Sequence, residues 1–391
     1  MKPFDFYRCP RVVFGPGRIA ELGRLAAYLG SRALVVTGES SLDRSGNWNK
    51  VARTLGESSI VFKRFAVTGE PSPDLVDGAV RRFKHQEFHL VLAIGGGSVI
   101  DCAKAIAAML PLGDPVTPYL EGVGDRKHPG TSLPLIAVPT TAGTGSEATR
   151  NAVLSRVGRE GFKKSLRHDT FTPVCALLDP ELTLTCPPSL TAACGMDAFT
   201  QLLESYLSLQ ASPVTDALSL SGIELLSPAL VPAATGRGEA LHFRSALLYA
   251  AFLSGVTLAN AGLGIIHGLA GPIGALVPMP HGMVCAALAG EACRANIRRL
   301  REEGGEENPM LARYARVGRI LSGNHGAKDE QACELLLENL EHWAEKLGIP
   351  RLGHFGVADS DIDGLAAQAG QKANPVHLQA EDVRTILRAC L

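Results

Sequence analysis

Two stretches of the chain carry residues whose types and spacing suit the holding of phosphate. The first is Ile94-Gly95-Gly96-Gly97-Ser98, which follows a short apolar run and opens a helical pattern over residues 99–110. Consecutive glycines let a backbone come close to a pyrophosphate, and a helix start offers free amides with partial positive charge. Gly95, Gly96, Gly97 and Ser98 are therefore candidate phosphate contacts, with Asp101 and Lys104 in the first turns of the helix behind them. Asp101 also has the charge that a helix start favours, and Lys104 reads as a solvated helix charge. The second stretch is Pro139-Thr140-Thr141-Ala142-Gly143-Thr144-Gly145-Ser146-Glu147. It places the hydroxyls of Thr140, Thr141, Thr144 and Ser146 in one turn, where they suit phosphate or ribose oxygens without adding charge. The same residues also serve as turn formers and helix caps. Two such loops at the ends of parallel strands imply one crevice in which a dinucleotide lies.

The elements that must position these loops follow from periodicity. Residues 32–37 (RALVVT), 89–94 (HLVLAI) and 133–138 (LPLIAV) are short, β-branched and apolar on both faces. Runs of this kind suit the interior strands of a parallel sheet covered by helices. Amphipathic stretches at 18–29, 47–55 and 73–83 alternate with them, as in a Rossmann-like α/β layer. After about residue 181 strand-like runs cease. Helical patterns follow at 191–209, 212–234, 239–259, 310–321 and 328–347. Pro173, Asp179-Pro180 and Cys186-Pro187-Pro188 punctuate the change. The expectation is an α/β domain over residues 1–181 and an all-α domain over 182–391. Residues 112–134 and 302–308 read as surface loops.

The two loops, GGGS-x-x-D-x-x-K and PTTAGTGSE, closely resemble those of the iron-containing (group III) alcohol dehydrogenase family. The resemblance continues through Val12-Val13-Phe14-Gly15-Pro16-Gly17, Gly195-Met196-Asp197-Ala198, His267-Gly268, Pro280-His281-Gly282 and Asn374-Pro375, so it spans almost the whole chain. It implies a dehydroquinate synthase-like architecture: a Rossmann-like nucleotide domain, a helical metal and substrate domain, and a cleft between them. It also implies a homodimer, in which residues 7–14 would join the partner's sheet edge. In NAD-preferring members the strand corresponding to residues 32–37 is followed by an Asp that bonds the ribose hydroxyls. Gly38 stands there in this chain, and Ser40 and Ser41 could bond a 2′-phosphate, so the expectation leans to NADP over NAD. Glu39 is a competing carboxylate.

The resemblance further implies one divalent ion, iron or sometimes zinc, held by an Asp and three His of the helical domain. Asp197, His267 and His281 match three of these and form the expected catalytic set. The fourth ligand should be a His four residues after the Asp, on the same helical face. Gln201 occupies that place, which gives Asp197, Gln201, His267 and His281 as the expected metal set. Borderline ions prefer an imidazole nitrogen to an amide oxygen, so weaker binding, a changed metal preference or no bound ion is expected. A second departure is Gly271, where many members carry another His in H-G-x-x-H. His168 is one further candidate beyond the second loop; the remaining His read as core or surface residues.

Lys plus Arg number 38 and Asp plus Glu 39, so net charge points to neither nucleic acid nor an anionic membrane. Neither a signal peptide nor an apolar run of the roughly 18–20 residues that span a bilayer is evident. Nine scattered cysteines without a C-x-x-C pair fit free thiols in the cytoplasm. The function expected is an NAD(P)-dependent oxidoreductase interconverting a small-molecule alcohol and an aldehyde or ketone, with an altered metal site. The alternatives are a metal-independent reductase of maleylacetate-reductase type, a zinc-dependent glycerol-type dehydrogenase, and a nucleotide-binding protein without turnover.

Overall fold

Strands that are apolar on both faces lie in the middle of a parallel sheet. Arg11–Phe14 (β1), Arg32–Gly38 (β2), Val61–Val67 (β3), Leu90–Gly95 (β4), Leu135–Pro139 (β5) and Cys175–Leu178 (β8) form six strands in the order β1-β8-β5-β4-β2-β3. All neighbouring pairs are parallel. This is seen in a computed structural model, which describes residues 2–158, 161–236 and 240–391. Strands β4, β5 and β8 are buried along their full length. Edge strand β3 (VFKRFAV) alternates exposed and half-buried positions, and for that reason it carries no continuous apolar signal. Asn151–Arg156 (β6) and Phe162–Arg167 (β7) pair separately as a two-stranded ribbon.

The helices between these strands are Leu22–Ala27 (α1), Ser41–Arg44 (α2), Asn47–Glu57 (α3), Pro73–Phe83 (α4) and Gly97–Met109 (α5). The helix expected over residues 18–29 is split: Arg18–Glu21 is a single tight turn, and α1 follows it. Helix α4 starts with Pro73 behind Ser72, whose hydroxyl accepts the Leu75 amide at 3.2 Å. Helix α5 is buried from Val99 to Met109. Strand order reverses between β2 and β4, because the chain steps outward from β2 to β3 and then returns to β4. Thr37 pairs with Ile94 and Gly95 with Pro139, so Gly38, Gly95 and Pro139 end their strands on the same edge. Ligand sites of open parallel sheets form at that switch point.

The chain divides into two compact units. One comprises Arg8–Arg156 with Lys163–Cys186, and the other Pro187–Leu391 with the short segments Met1–Tyr7 and Val157–Phe162. The second unit holds Pro188–Leu207 (α6), Pro213–Ala234 (α7), Leu241–Ala261 (α8), Ile265–Leu276 (α9), His281–Gly304 (α10), Pro309–Ser322 (α11), Asp329–Lys346 (α12), Ile362–Gln368 (α13) and Ala380–Cys390 (α14). Among the described residues no strand follows Leu178. The helix start expected at Glu239 lies outside the described residues. The loop expected at 302–308 begins later, since α10 runs on to Gly304.

The sequence offers no uninterrupted apolar run of bilayer length, and two long helices bear on that expectation. Helices α7 and α8 do reach the length and apolarity of a bilayer span, with windows of mean hydropathy 1.4 and 1.2. Small residues and isolated charges such as Asp216, Glu224 and Arg244 interrupt their apolar runs. Half or more of each window is buried, and α6, α7 and α8 pack on one another as a core. Length and composition alone do not separate such core helices from membrane spans.

Candidate nucleotide turn and metal centre

In the first unit the two glycine- and hydroxyl-rich loops adjoin. The Thr140 amide donates to Gly95 O at 3.0 Å. A Cβ built on Gly96 would lie 3.2 Å from Thr141 Oγ1, and one on Gly97 only 2.5 Å from Thr144 Oγ1. Glycine is thus required at 97 by contact with the second loop, independently of any ligand. Gly96, Gly97, Ser98, Thr140, Thr141 and Thr144 are half-buried, as the rim of a binding turn would be.

Asp101 braces this arrangement. Its carboxylate, buried on α5, accepts from Ser146 Oγ at 2.9 Å and from the Val153 amide at 3.1 Å. Thr144 Oγ1 in turn contacts Ser146 Oγ at 3.2 Å. Lys104 is no solvated charge. It is 1% exposed, and its Nζ donates to Thr149 Oγ1 and Asn151 O. Burial lowers the Lys104 ammonium to about 8, and burial raises the neighbouring Glu147 carboxyl to about 7.

At the end of β2, Gly38 adjoins this turn, since a Cβ there would meet Val99 at 3.9 Å and Ser41 Oγ at 3.2 Å. Ser40 is half-buried and Glu39 exposed. A basic residue that the sequence did not single out reaches the same place from β3. Arg64 Nε donates to Thr37 Oγ1 at 2.9 Å, and its guanidinium pairs with Asp43 and stacks on Trp48. His168 lies elsewhere: it accepts the Thr170 amide and caps the turn Asp169–Phe171.

In the second unit three helices converge. Asp197, buried in the middle of α6, receives His267 from the first turn of α9 and His281 from the first residue of α10. Asp197 Oδ1 lies 3.3 Å from His267 Nε2 and 3.7 Å from His281 Nε2. The imidazole ring centres are 5.5 Å apart. Cys285, one turn beyond His281, places its Sγ 3.6 Å from His267 Nε2 and 3.9 Å from His281 Nε2. One ligand atom from each of Asp197, His267, His281 and Cys285 falls within 4.8 Å of the others. A carboxylate, two imidazoles and a thiol are all donors to a divalent transition ion, so the set fits such an ion.

Glu204, two turns after Asp197, aims His267. Its carboxylate accepts the amides of Ile266 at 2.7 Å and His267 at 3.3 Å, and Oε2 lies 2.6 Å from His267 Nδ1. Asn374 accepts the Ile265 amide, so two side chains cap the start of α9. Burial opposes the charged form of His267, but Cys285, Asp197 and Glu204 outweigh it and hold the imidazole well above its usual value. Burial raises the Cys285 thiol. Gln201 Nε2 donates to Asp197 Oδ1 at 3.1 Å, and its Oε1 accepts from Ser254 Oγ at 2.7 Å. A Cβ built on Gly271 meets nothing within 4 Å.

Glycines let these helix starts approach. A Cβ on Gly282 would lie 2.1 Å from Ala193 O, and one on Gly268 would lie 1.8 Å from Gly370 O. Glu204 was legible in principle, because positions 197, 201 and 204 share a helical face. Cys285 was not singled out, since a thiol one turn after a His also reads as core.

A parallel α/β unit with a glycine-rich turn at its switch point, followed by a helical unit bearing clustered metal donors, marks a nucleotide-dependent oxidoreductase class. Comparison with known proteins gives the family. Residues 9–180 match the iron-containing alcohol dehydrogenase family, and residues 191–391 match the C-terminal part of the Fe-containing alcohol dehydrogenase family. The chain is 30% identical to the NAD-dependent methanol dehydrogenase of Bacillus methanolicus over 99% of its length and 100% of that protein's. It is 34% identical to alcohol dehydrogenase 4 of Saccharomyces cerevisiae, over 98% of this chain and 97% of the relative. Among solved structures, an alcohol dehydrogenase from Oenococcus oeni superposes with a TM-score of 0.88 at 30% identity, covering both chains fully. The chain belongs to the iron-containing alcohol dehydrogenase family.

Proposed function

We propose that this chain catalyses hydride transfer between a nicotinamide nucleotide and a small-molecule alcohol or carbonyl, assisted by a divalent ion on Asp197, His267 and His281. The observation that carries the reading is the convergence of those donor atoms, from three helices, within 4.8 Å of one another. A bound ion supplies Lewis-acid polarisation of the substrate oxygen, and the nucleotide supplies or accepts the hydride.

The chain's own residues have separable tasks. Glu204 keeps a proton on His267 Nδ1 and leaves Nε2 as the donor to the ion. Asp197 contributes the negative charge that offsets a dication. Gly95, Gly96, Gly97 and Ser98 with Thr140, Thr141, Thr144 and Ser146 present amides and hydroxyls to the pyrophosphate, and Asp101 holds Ser146 in place. NADP is favoured over NAD by Gly38, which puts no carboxylate at the end of β2; the Arg64 guanidinium beside Thr37 is already paired with Asp43. The nine scattered cysteines, with no C-x-x-C pair among them, suit a reducing cytoplasm. A homodimer is part of this reading, since β1 ends the sheet with Val12 and Phe14 exposed.

The test measures aldehyde reduction and alcohol oxidation with NADPH and with NADH, before and after chelator treatment and metal restoration. Activity lost to chelation and restored by metal, with NADPH preferred, is expected. Reductase activity indifferent to chelation would transfer the protein to the metal-independent class. Tight nucleotide binding without turnover would make it a binding protein.

A further inference from the structure

The centre departs from its family at the fourth ligand position, and the helix carrying His281 brings in a donor of another kind. We propose that Cys285, in place of Gln201, completes the metal centre, so that Asp197, His267, His281 and Cys285 form a set favouring a thiophilic ion such as zinc over ferrous iron. The proposal rests on the reading of this cluster as a metal site.

Cys285 follows His281 by four residues on α10, so both side chains leave the same helical face. A tetrahedral ion with arms of about 2.0–2.3 Å sets its ligand atoms about 3.3–3.8 Å apart. The separations found are 3.3 and 3.7 Å from Asp197 Oδ1 to the two imidazoles, and 3.6 and 3.9 Å from Cys285 Sγ to the same nitrogens. Thiol and carboxylate thus both lie at ligand-to-ligand distance from the two imidazoles, and all four donor atoms fall within 4.8 Å of one another.

Gln201, in contrast, presents no ligand atom to the centre in this arrangement. Its oxygen takes the Ser254 hydroxyl, and its amide nitrogen, which cannot ligate a cation, faces Asp197. Reversing the amide would turn its oxygen toward the centre, and the experiment below separates the two arrangements.

Exchanging an imidazole for a thiolate changes what the site can do. Thiolates are soft donors and select zinc or cuprous copper over harder ions. The thiol proton is released as the ion binds. Two anionic donors, Asp197 and Cys285, then neutralise a dication fully, which leaves it a weaker Lewis acid than one held by a single carboxylate and three imidazoles. Substrate oxygen would enter as an additional ligand, because four protein donors already close a tetrahedron.

The experiment uses the full chain, stripped with chelator and reloaded with one equivalent of cobalt(II). An intense thiolate-to-cobalt charge-transfer band in the near ultraviolet is expected. Cys285→Ser should still bind cobalt but lose the band, and Gln201→Ala should retain it. Loading against equimolar zinc and ferrous iron under anaerobic conditions should favour zinc, with that preference falling several-fold in Cys285→Ser. Stoichiometric cobalt without a sulfur band in the unmodified protein would overturn the role of Cys285 and leave the metal-assisted reading standing, even if the serine variant did not fold. A band that survives Cys285→Ser, or is lost in Gln201→Ala, would overturn it as well. Failure to bind cobalt or zinc at all would remove both the proposal and the metal reading.

Discussion

Replacing Glu204 by Gln tests whether this carboxylate positions the metal centre or only caps a helix. The Glu204 side chain, 6% exposed, receives two backbone amides at the start of α9 and the Nδ1 side of His267. A Gln keeps one acceptor oxygen and turns an NH2 group toward one of those donors. A charge-assisted hydrogen bond is then lost and a buried donor is left opposite another. Hydrogen bonds to charged groups contribute about 1.5–3 kcal/mol, so about 2–3 kcal/mol of folding stability should disappear. The effect on the metal is separate. Without Glu204 to fix its tautomer, His267 is no longer held with Nε2 as the free donor, and loss of such a partner lowers metal affinity about 10–100-fold. Urea unfolding of the metal-free protein reads the first effect, and competition with a chromogenic chelator for zinc reads the second. Stability lost with zinc affinity unchanged within about threefold would refute the positioning role.

Gly38→Asp restores a carboxylate at the end of β2, where the nearest neighbour of the new Cβ is the movable Ser41 hydroxyl at 3.2 Å. The ratio of kcat/KM for NADH to that for NADPH should rise about tenfold, equivalent to about 1.4 kcal/mol, and an unchanged ratio would place the nucleotide away from Gly38. Glu147, 2% exposed, is raised by burial to about 7, with Lys104 pulling against it. The folded state therefore keeps a proton that the unfolded chain releases between the usual carboxyl value of 4.5 and about 7, and stability should fall as pH rises through that window, by at most about 3 kcal/mol. Glu147→Gln should flatten this slope in urea titrations at pH 5, 6 and 7, and a flat slope in the unmodified protein would contradict the burial argument.

How much of this was legible depended on whether the signal was local. The central strands could be read because a strand covered on both faces is an uninterrupted apolar run, as in LVLAIG of β4. Edge strand β3 escaped notice because Lys63 and Arg64 interrupt its pattern, and β8 because four residues are too few to show one. Lys104 looked like a surface charge, since nothing near it in sequence reveals that Thr149 and Asn151 accept from its ammonium. The metal cluster is non-local to a greater degree. His267 and Cys285 come from helices far along the chain from Asp197, and only the family resemblance singled out the His. Cys285 matched no family ligand and remained one of nine thiols.

The backbone around the cluster bears on whether the altered donors mark decay or a changed chemistry. Gly268 and Gly282 still permit two helix starts to press on Gly370 and Ala193, contacts that any larger residue would prevent. Glu204 and Asn374 still cap α9, and Asn374 is itself tied to Asn296 and Val376. Two buried carboxylates, Asp197 and Glu204, remain on either side of one imidazole. Two ionised carboxylates held out of water cost several kcal/mol unless cations compensate, and a bound ion beside the imidazole would supply that compensation. The positioning groups are thus present, while the donors depart from the family pattern at Gln201 and Gly271 and Cys285 stands beside the two His. That combination accords with a centre retuned for a different ion and a weaker electrophile, and it argues against a nucleotide-binding remnant.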